Sequence, residues 1–272
     1  MAELKEKAKP IAGGTDLIVS MKKGLISPEN VVSLDRIPEL ASINRSNGIV
    51  KIGACLRVMQ LVRSADISWE FSGLWQAARS LGSPLIRNLA TIGGNIVSAR
   101  PAADLPPALL AYDASVVLRS VSQERNIPLN QFFLGPGRTV MLPDEILTEI
   151  LIEKPPSRSG AAYLKLGFRK ALEISIVNVA SFIILESRGQ RIQSARIVLG
   201  SVGPAPMRAA SAEKLLMGEK PSDSLVARAG EAAANDSKPI TDLRGSAEYR
   251  RAMVSVLTER TLKMALETAK AF

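Results

Sequence analysis

Two glycine pairs are the residues of this chain whose type and spacing best suit chemistry. Gly13-Gly14-Thr15-Asp16 follows Pro10-Ile11-Ala12, where a strand gives way to the start of a helix. Such a turn exposes unpaired backbone N–H groups at the positive end of a helix dipole. Glycine lets a phosphate come against the backbone, and the Thr15 hydroxyl adds a donor. Thr91-Ile92-Gly93-Gly94-Asn95 offers similar ingredients, a hydroxyl, two glycines and an amide, although Asn95 also suits a turn or a helix cap. One glycine pair before a helix is ordinarily just a turn. Two of them could grip the two phosphates of a dinucleotide, with the Asp104 carboxylate accepting from a ribose hydroxyl or a pyrophosphate-bound water. Neither GxGxxG nor GxxxxGK[ST] occurs, so this is not a Rossmann or Walker site.

The residues that are missing narrow the chemistry further. The chain has no histidine and one cysteine, Cys55. That removes Ser-His-Asp and Cys-His catalysis, histidine metal sites and histidine-linked flavins. An iron–sulfur cluster needs four thiolates as a rule, so this chain cannot hold one alone. Redox chemistry here requires a bound organic cofactor. The net charge of +9 raises nucleic acid as a partner. Lys and Arg are scattered, however, and aromatics are 4% of residues, too few for base-stacking platforms. No nucleic acid is therefore expected, and the basic surface fits solvent or an acidic partner subunit. The charged opening MAELKEKAKP has no apolar signal core, and the longest apolar stretch, Ile174 to Leu185, is interrupted by Ser175, Asn178 and Ser181. A bilayer span needs roughly 20 apolar residues, so a cytoplasmic protein without a membrane span is expected.

The elements that must position the glycine pairs read as follows. A helix fits Thr15 to Lys23, closed by Gly24, and a buried strand fits Val31 to Leu34. Asn47-Gly48 joins a strand near Ile43 to Ile49–Ile52 as a hairpin. Leu74, Ala77, Ala78 and Leu81 share a helical face, and Val116–Arg119 with Glu124–Leu129 form a strand pair. Lys154 to Gly160, with two prolines, two serines and a glycine, reads as a linker. Beyond it come strands at Ala162–Arg169, Val177–Glu186 and Arg191–Gly200, with Ser187–Gln190 as a turn. Helices follow at Ala209–Met217, Ser224–Ala234 and Ser246–Ala271. Strands and then helices are an α+β order. On the last helix, Arg250, Arg251 and Arg260 fit a solvated face or a meeting surface for an acidic partner.

Several segments resemble one family. Pro10–Leu17 (PIAGGTDL) and Gly82–Asp104 (GSPLIRNLATIGGNIVSARPAAD) look like the FAD-binding subunits of xanthine dehydrogenase, carbon monoxide dehydrogenase and their relatives. The likeness continues through Asp144–Leu147, Tyr163–Lys165 and Leu243–Arg250, in the family's order and over nearly the whole chain. The resemblance implies an α+β chain with a two-lobed, PCMH-type FAD-binding domain of the vanillyl-alcohol-oxidase type. That domain would cover residues 1–156, with lobes of about 1–50 and 51–156. A C-terminal domain at 160–272 would carry a three-stranded antiparallel sheet and a helical bundle. It further implies that Ile11, Ala12, Gly13, Gly14, Thr15, Asp16 and Leu17, with Thr91, Ile92, Gly93, Gly94 and Asn95, hold the FAD pyrophosphate. Asp104, Leu147 and Lys165 would lie in the flavin site. A cation at Lys165 near the flavin pyrimidine edge would favour the anionic reduced form; the alternative is a surface lysine on a strand.

In this family substrate is hydroxylated at a molybdenum cofactor on a large subunit. Electrons then pass through two iron–sulfur clusters on a small subunit to FAD, and on to NAD, oxygen or another acceptor. The resemblance thus implies an electron relay in a molybdenum hydroxylase, assembled as a dimer of heterotrimers, and no catalytic side chain on this chain. The sequence departs from the family in three places. Only Met1 to Ala12 precede the first glycine pair, which leaves two readings, a trimmed start or a first lobe with less cover. Cys55–Met59 replaces a common Thr-Thr-His run, and Arg169–Ile174 stands where an Arg-Arg pair and an Asp-Ile-Ala run are usual. Thr15-Asp16-Leu17 leans toward the xanthine- and aldehyde-type relatives. A self-contained flavin oxidase would want a placed base, and without histidine only Tyr112, Tyr163 and Tyr249 could approach that role. A non-enzymatic nucleotide-binding module would leave both glycine turns purely structural.

Overall fold

The computed structural model describes residues 3–4, 7–169, 172–187 and 189–271. β1 (Ala8–Ile11) pairs in parallel with β2 (Asn30–Ser33), and α1 (Leu17–Lys22) lies in the crossover between them. The helix begins two residues later than its apolar spacing predicts, because Gly14 sits at φ +72° and Thr15 and Asp16 are spent on the turn. β3 (Ile43–Ser46) and β4 (Ile49–Gly53) form the hairpin that Asn47-Gly48 specifies, both turn residues having positive φ.

A helical layer follows: α2 (Val58–Arg63), α3 (Ala65–Glu70), α4 (Ser72–Ser80), α5 (Pro84–Arg87), α6 (Ile92–Val97) and α7 (Leu105–Ala111). It covers a sheet completed by β5 (Ser115–Arg119), β6 (Glu124–Pro128) and β9 (Ile146–Glu153). A two-stranded ribbon, β7 (Phe133–Gly135) with β8 (Arg138–Thr139), intervenes. The sheet order is β3-β4-β9-β5-β6. Both strands of the β3–β4 hairpin belong to this sheet. β4 pairs with β9, which lies about a hundred residues downstream, and that pairing ties the hairpin to the rest of the sheet. Cys55 packs with Leu34 and Leu40 in a small apolar cluster.

The C-terminal sheet has three long antiparallel strands, β10 (Ser159–Leu166), β11 (Val177–Leu185) and β12 (Ile192–Gly200), with the two-residue β13 (Met207–Arg208) at its edge. α8 (Ala210–Leu216), α9 (Asp223–Asp236) and α10 (Ala247–Ala271) complete the chain. β10 begins earlier than its apolar run predicts, taking Ser159 and Gly160 from the linker. The cause is packing: a side chain at Gly160 would stand 2.1 Å from the Ala265 carbonyl of α10. Of the Ser187–Gln190 turn, Arg188 lies outside the described residues, as do Lys170 and Ala171 of the Arg169–Ile174 run.

Both faces of this sheet are buried, which explains why its strands read as nearly continuous apolar runs. Ala162, Val179, Ile183 and Leu199 join the core with α8, α9 and α10. Ala161, Tyr163, Phe182 and Val198 join the core of the N-terminal half. Tyr112 at the end of α7 packs edge-on to Phe71 and tilts against Phe182, with ring centres 5.3 and 5.2 Å apart. The C-terminal sheet is thus the middle layer, and a side chain on its inner face reaches the N-terminal half directly.

Candidate site at the glycine loops

The two glycine loops lie side by side, held by backbone contact. A Cβ at Gly13 would fall 2.0 Å from the Leu89 carbonyl, just ahead of the second loop. Asp16 closes the gap further through an ion pair with Arg100, Nε to Oδ1 at 2.8 Å. Nothing in the sequence marks Arg100, because its partner lies 84 positions away.

The loops differ in what they leave open. In the first, the N–H groups of Gly13, Gly14, Thr15, Asp16 and Leu17 have no acceptor within hydrogen-bond distance among the described residues. All five residues are only partly exposed. Successive unpaired N–H groups around a residue at positive φ make a concavity that attracts anions. The second loop is closed. Ile92 N–H donates to Leu56 O (3.0 Å), Gly93 N–H to Ala54 O (2.8 Å) and Asn95 N–H to Thr91 O (3.0 Å). Gly94 N–H donates to Thr91 Oγ1 at 3.1 Å, so Thr91 caps α6. Gly93 is required by close approach, since a Cβ there would stand 2.6 Å from the Ala54 Cβ. The similar composition of the two loops therefore hides two jobs: the first presents donors, and the second brings a short capped helix against β4.

Asn95 is more than a turn residue. Its Oδ1 accepts from the N–H of Leu105, the first residue of α7, at 3.2 Å. Asp104 stands immediately before α7 and is buried, 6% exposed. Lys165 reaches it from the inner face of β10, with Nζ 2.9 Å from Oδ1 and 3.0 Å from Oδ2. The Tyr163 hydroxyl, two residues away on the same face, donates to Oδ1 at 2.9 Å. Lys165 is consequently no surface lysine: its side chain is 9% exposed. Burial pushes the Asp104 carboxyl above the ordinary range, against the downward pull of Lys165 and Tyr163. Burial, and then the charge of Asp104, pushes the Tyr163 hydroxyl well above its usual value. The i, i+2 spacing of Tyr163 and Lys165 on a strand is the signal that pairs them.

Leu147 stands apart from this cluster. It lies on β9 opposite Leu118 with its side chain in the apolar core. Its neighbour Thr148 accepts from Ala54 N–H at 2.9 Å, which links β9 to the second glycine loop through the backbone alone. One cavity borders Lys165 and another lies beside Pro10 and Val97. The first, of about 350 Å³, is lined by Ser80, Lys165, Phe168 and Glu173. The second, of about 550 Å³, lies among Lys9, Pro10, Val97, Thr139 and Glu145. A further cavity between Trp69, Tyr112 and Lys154 shares no residue with either of these. No helix among the described residues is long and apolar enough to cross a membrane.

Known proteins match along almost the whole chain. Residues 1–155 fit the family model of the FAD binding domain in molybdopterin dehydrogenase, and residues 162–265 that of the CO dehydrogenase flavoprotein C-terminal domain. The chain is 34% identical to the 6-hydroxypseudooxynicotine dehydrogenase complex subunit alpha of Paenarthrobacter nicotinovorans, over 99% of this chain and 90% of that one. It is 32% identical to the glyceraldehyde dehydrogenase medium chain of Sulfolobus acidocaldarius, over 95% and 90%. The structure matches carbon monoxide dehydrogenase from Hydrogenophaga pseudoflava with a TM-score of 0.93 at 32% identity, covering 98% of this chain and 92% of that one. Identity is equal toward the last two, so it does not decide between the branches on which Thr15-Asp16-Leu17 bears.

Proposed function

The chain belongs to the FAD-binding family of molybdopterin dehydrogenases, and from that premise we propose which residues hold the cofactor and how the complex is arranged. It is the FAD-binding medium subunit of a molybdenum hydroxylase, an oxidoreductase subunit whose molybdenum cofactor resides on a partner. The observation that carries the site assignment is the run of open N–H groups from Gly13 to Leu17, beside a buried Asp104–Lys165 pair.

Ile11 to Leu17 hold the pyrophosphate, with the N–H groups of Gly13 to Leu17 donating to its oxygens. Arg100 adds positive charge beside them. Thr91 to Asn95 would form the opposite wall, its position fixed by the Thr91 cap on α6, the backbone bonds of Ile92 and Gly93, and the Asn95 bond to Leu105 N–H. Asp104 and Lys165 meet the flavin at its polar edge as a charge-balanced pair, and Tyr163 holds the Asp104 carboxylate in place. Leu147 contributes through the sheet behind the site. Bound FAD supplies the exchange between one-electron and two-electron transfer. This chain binds and orients it, and no side-chain acid or nucleophile is needed.

The subunit works with a small partner carrying two iron–sulfur clusters and a large molybdenum partner, as a dimer of heterotrimers in the cytoplasm. NAD or another soluble acceptor takes the electrons at the flavin. The FAD-binding unit spans about 1–156 and the C-terminal unit about 160–272.

Titrating the full chain with FAD, with flavin-to-protein stoichiometry read after gel filtration, tests the site. One FAD per chain is expected. Gly14→Val should fold and lose most of its FAD affinity, because it distorts only the donor loop. Gly93→Val should lose thermal stability first, since it forces β4 and α6 apart. Full affinity in Gly14→Val would refute the assignment of the first loop.

A further inference from the structure

The chemistry of the flavin site does not account for Arg250. Sequence pattern places it on a solvated helical face with Arg251 and Arg260; the structure leaves those two exposed and buries Arg250, at 2% exposure. A buried guanidinium 3% exposed needs acceptors on several sides. Arg250 finds them on three separate segments. Its Nη1 donates to the Ile176 carbonyl at 2.8 Å and to the Ser201 carbonyl at 3.1 Å, and its Nη2 pairs with Asp242.

The two carbonyls belong to residues whose own N–H groups bond to the segments that carry the flavin-site pair. Ser201 N–H donates to Pro101 O at 2.8 Å, and Pro101 lies in the short loop that ends at Asp104. Ile176 N–H donates to Leu166 O at 2.8 Å, and Leu166 follows Lys165 on β10. Each residue held by Arg250 thus passes a second hydrogen bond to the neighbourhood of one member of the pair. Ser201 has φ +65°, a conformation that non-glycine residues rarely adopt, so its carbonyl points at Arg250 only while something holds it there. The same corner has no slack for another side chain. A Cβ at Gly200 would lie 2.1 Å from Asn178 Oδ1 and 2.9 Å from Pro107 of α7. Asn178 is the ladder partner of both Lys165 and Gly200.

We propose that Arg250 is a positioning residue for the flavin site: from the start of α10 it locks the Pro101–Asp104 loop and the Lys165 strand into one arrangement. The effect on flavin rests on the cofactor assignment above; the mechanical part does not. The Leu243–Arg250 motif thereby has a task. The turn Asp242–Gly245, closed by reciprocal backbone bonds, presents Asp242 to Arg250, with Arg244 holding its other oxygen at 2.8 Å.

The test compares wild type with Arg250→Gln, Arg250→Lys and, as a control, Leu257→Ala, a buried residue of the same helix. Hydrogen exchange on the full chain without FAD should run at least about tenfold faster at the Ser201 and Ile176 amides in Arg250→Gln. The change should be smaller in Arg250→Lys, which keeps a donor, and absent in Leu257→Ala at matched global stability. With FAD added, Arg250→Gln should bind about tenfold more weakly and shift the visible circular dichroism of bound flavin as Lys165→Met does. Unchanged exchange at both amides, or a flavin spectrum indistinguishable from that of Leu257→Ala, would overturn the proposal. Should Arg250→Gln fail to fold, Arg250→Lys carries both readouts. If wild type binds no FAD, the cofactor assignment fails and the exchange result still decides the role of Arg250.

Discussion

Asp104 and Lys165 illustrate what residue identity alone conveys and what it withholds. Their types suit a flavin's polar edge, yet nothing in the sequence pairs two residues 61 positions apart. The fold does so by bringing the inner face of β10 to the start of α7. Removing one partner strands a charge where both side chains are less than a tenth exposed. Asp104→Asn and Lys165→Met should each lower stability by about 3–5 kcal/mol, whereas the double variant should lose much less than the sum. Urea unfolding of the four proteins without FAD checks this, and strictly additive losses would mean that the pair is not coupled. Arg100 and Asn178 were equally illegible as site neighbours. Arg100 acts through a distant ion pair, and Asn178 shows in the sequence only as a polar break in an apolar run. Gly13 and Gly93 were legible as special positions, but the sequence points to phosphate, and the structure adds backbone contacts too close for any side chain.

Elements with strong local signals were readable: the Asn47-Gly48 hairpin, α4 with its apolar face, and the long strands after the linker. Shorter ones were not. α6 contains two glycines, and α7 carries prolines at its second and third positions and is buried on every side, so neither has the one-sided apolar pattern of a surface helix. The loop from Gly137 to Glu145 also owes its shape to a buried charge. Glu145, fully buried at its side chain, takes both prongs of Arg125 at 2.7 Å and the Leu142 N–H at 2.7 Å. Burial pushes its carboxyl up, but the Arg125 hydrogen bonds and the Leu142 N–H outweigh this and leave it below the ordinary value of 4.5. A depressed carboxyl stabilises the fold above pH 4.5 and loses that contribution as pH falls through its folded value. Glu145→Gln should therefore cost about 1–3 kcal/mol at neutral pH and approach wild type in strongly acidic buffer. A deficit that stays constant across that range would show that the ion pair is not what holds the loop.

At the scale of the molecule, the C-terminal sheet joins the two halves, contributing side chains to both cores. Its outer face packs on α10 and its inner face supplies Tyr163 and Lys165, so the second half of the chain completes a site that the first half begins. That division was partly visible in the sequence as a linker followed by strands and then helices. The contact between the halves was not, since it depends on which face of β10 points inward. The same organisation suits the FAD-binding medium subunit of a multi-subunit complex. The most direct measurement removes FAD from the co-purified complex and follows cluster reduction and acceptor reduction separately, with the complex's own reducing substrate as the electron source and the acceptor used by the intact complex. The clusters should still become reduced, electron delivery to the acceptor should stop, and adding FAD should restore it. Acceptor reduction that continues undiminished without FAD would contradict the relay.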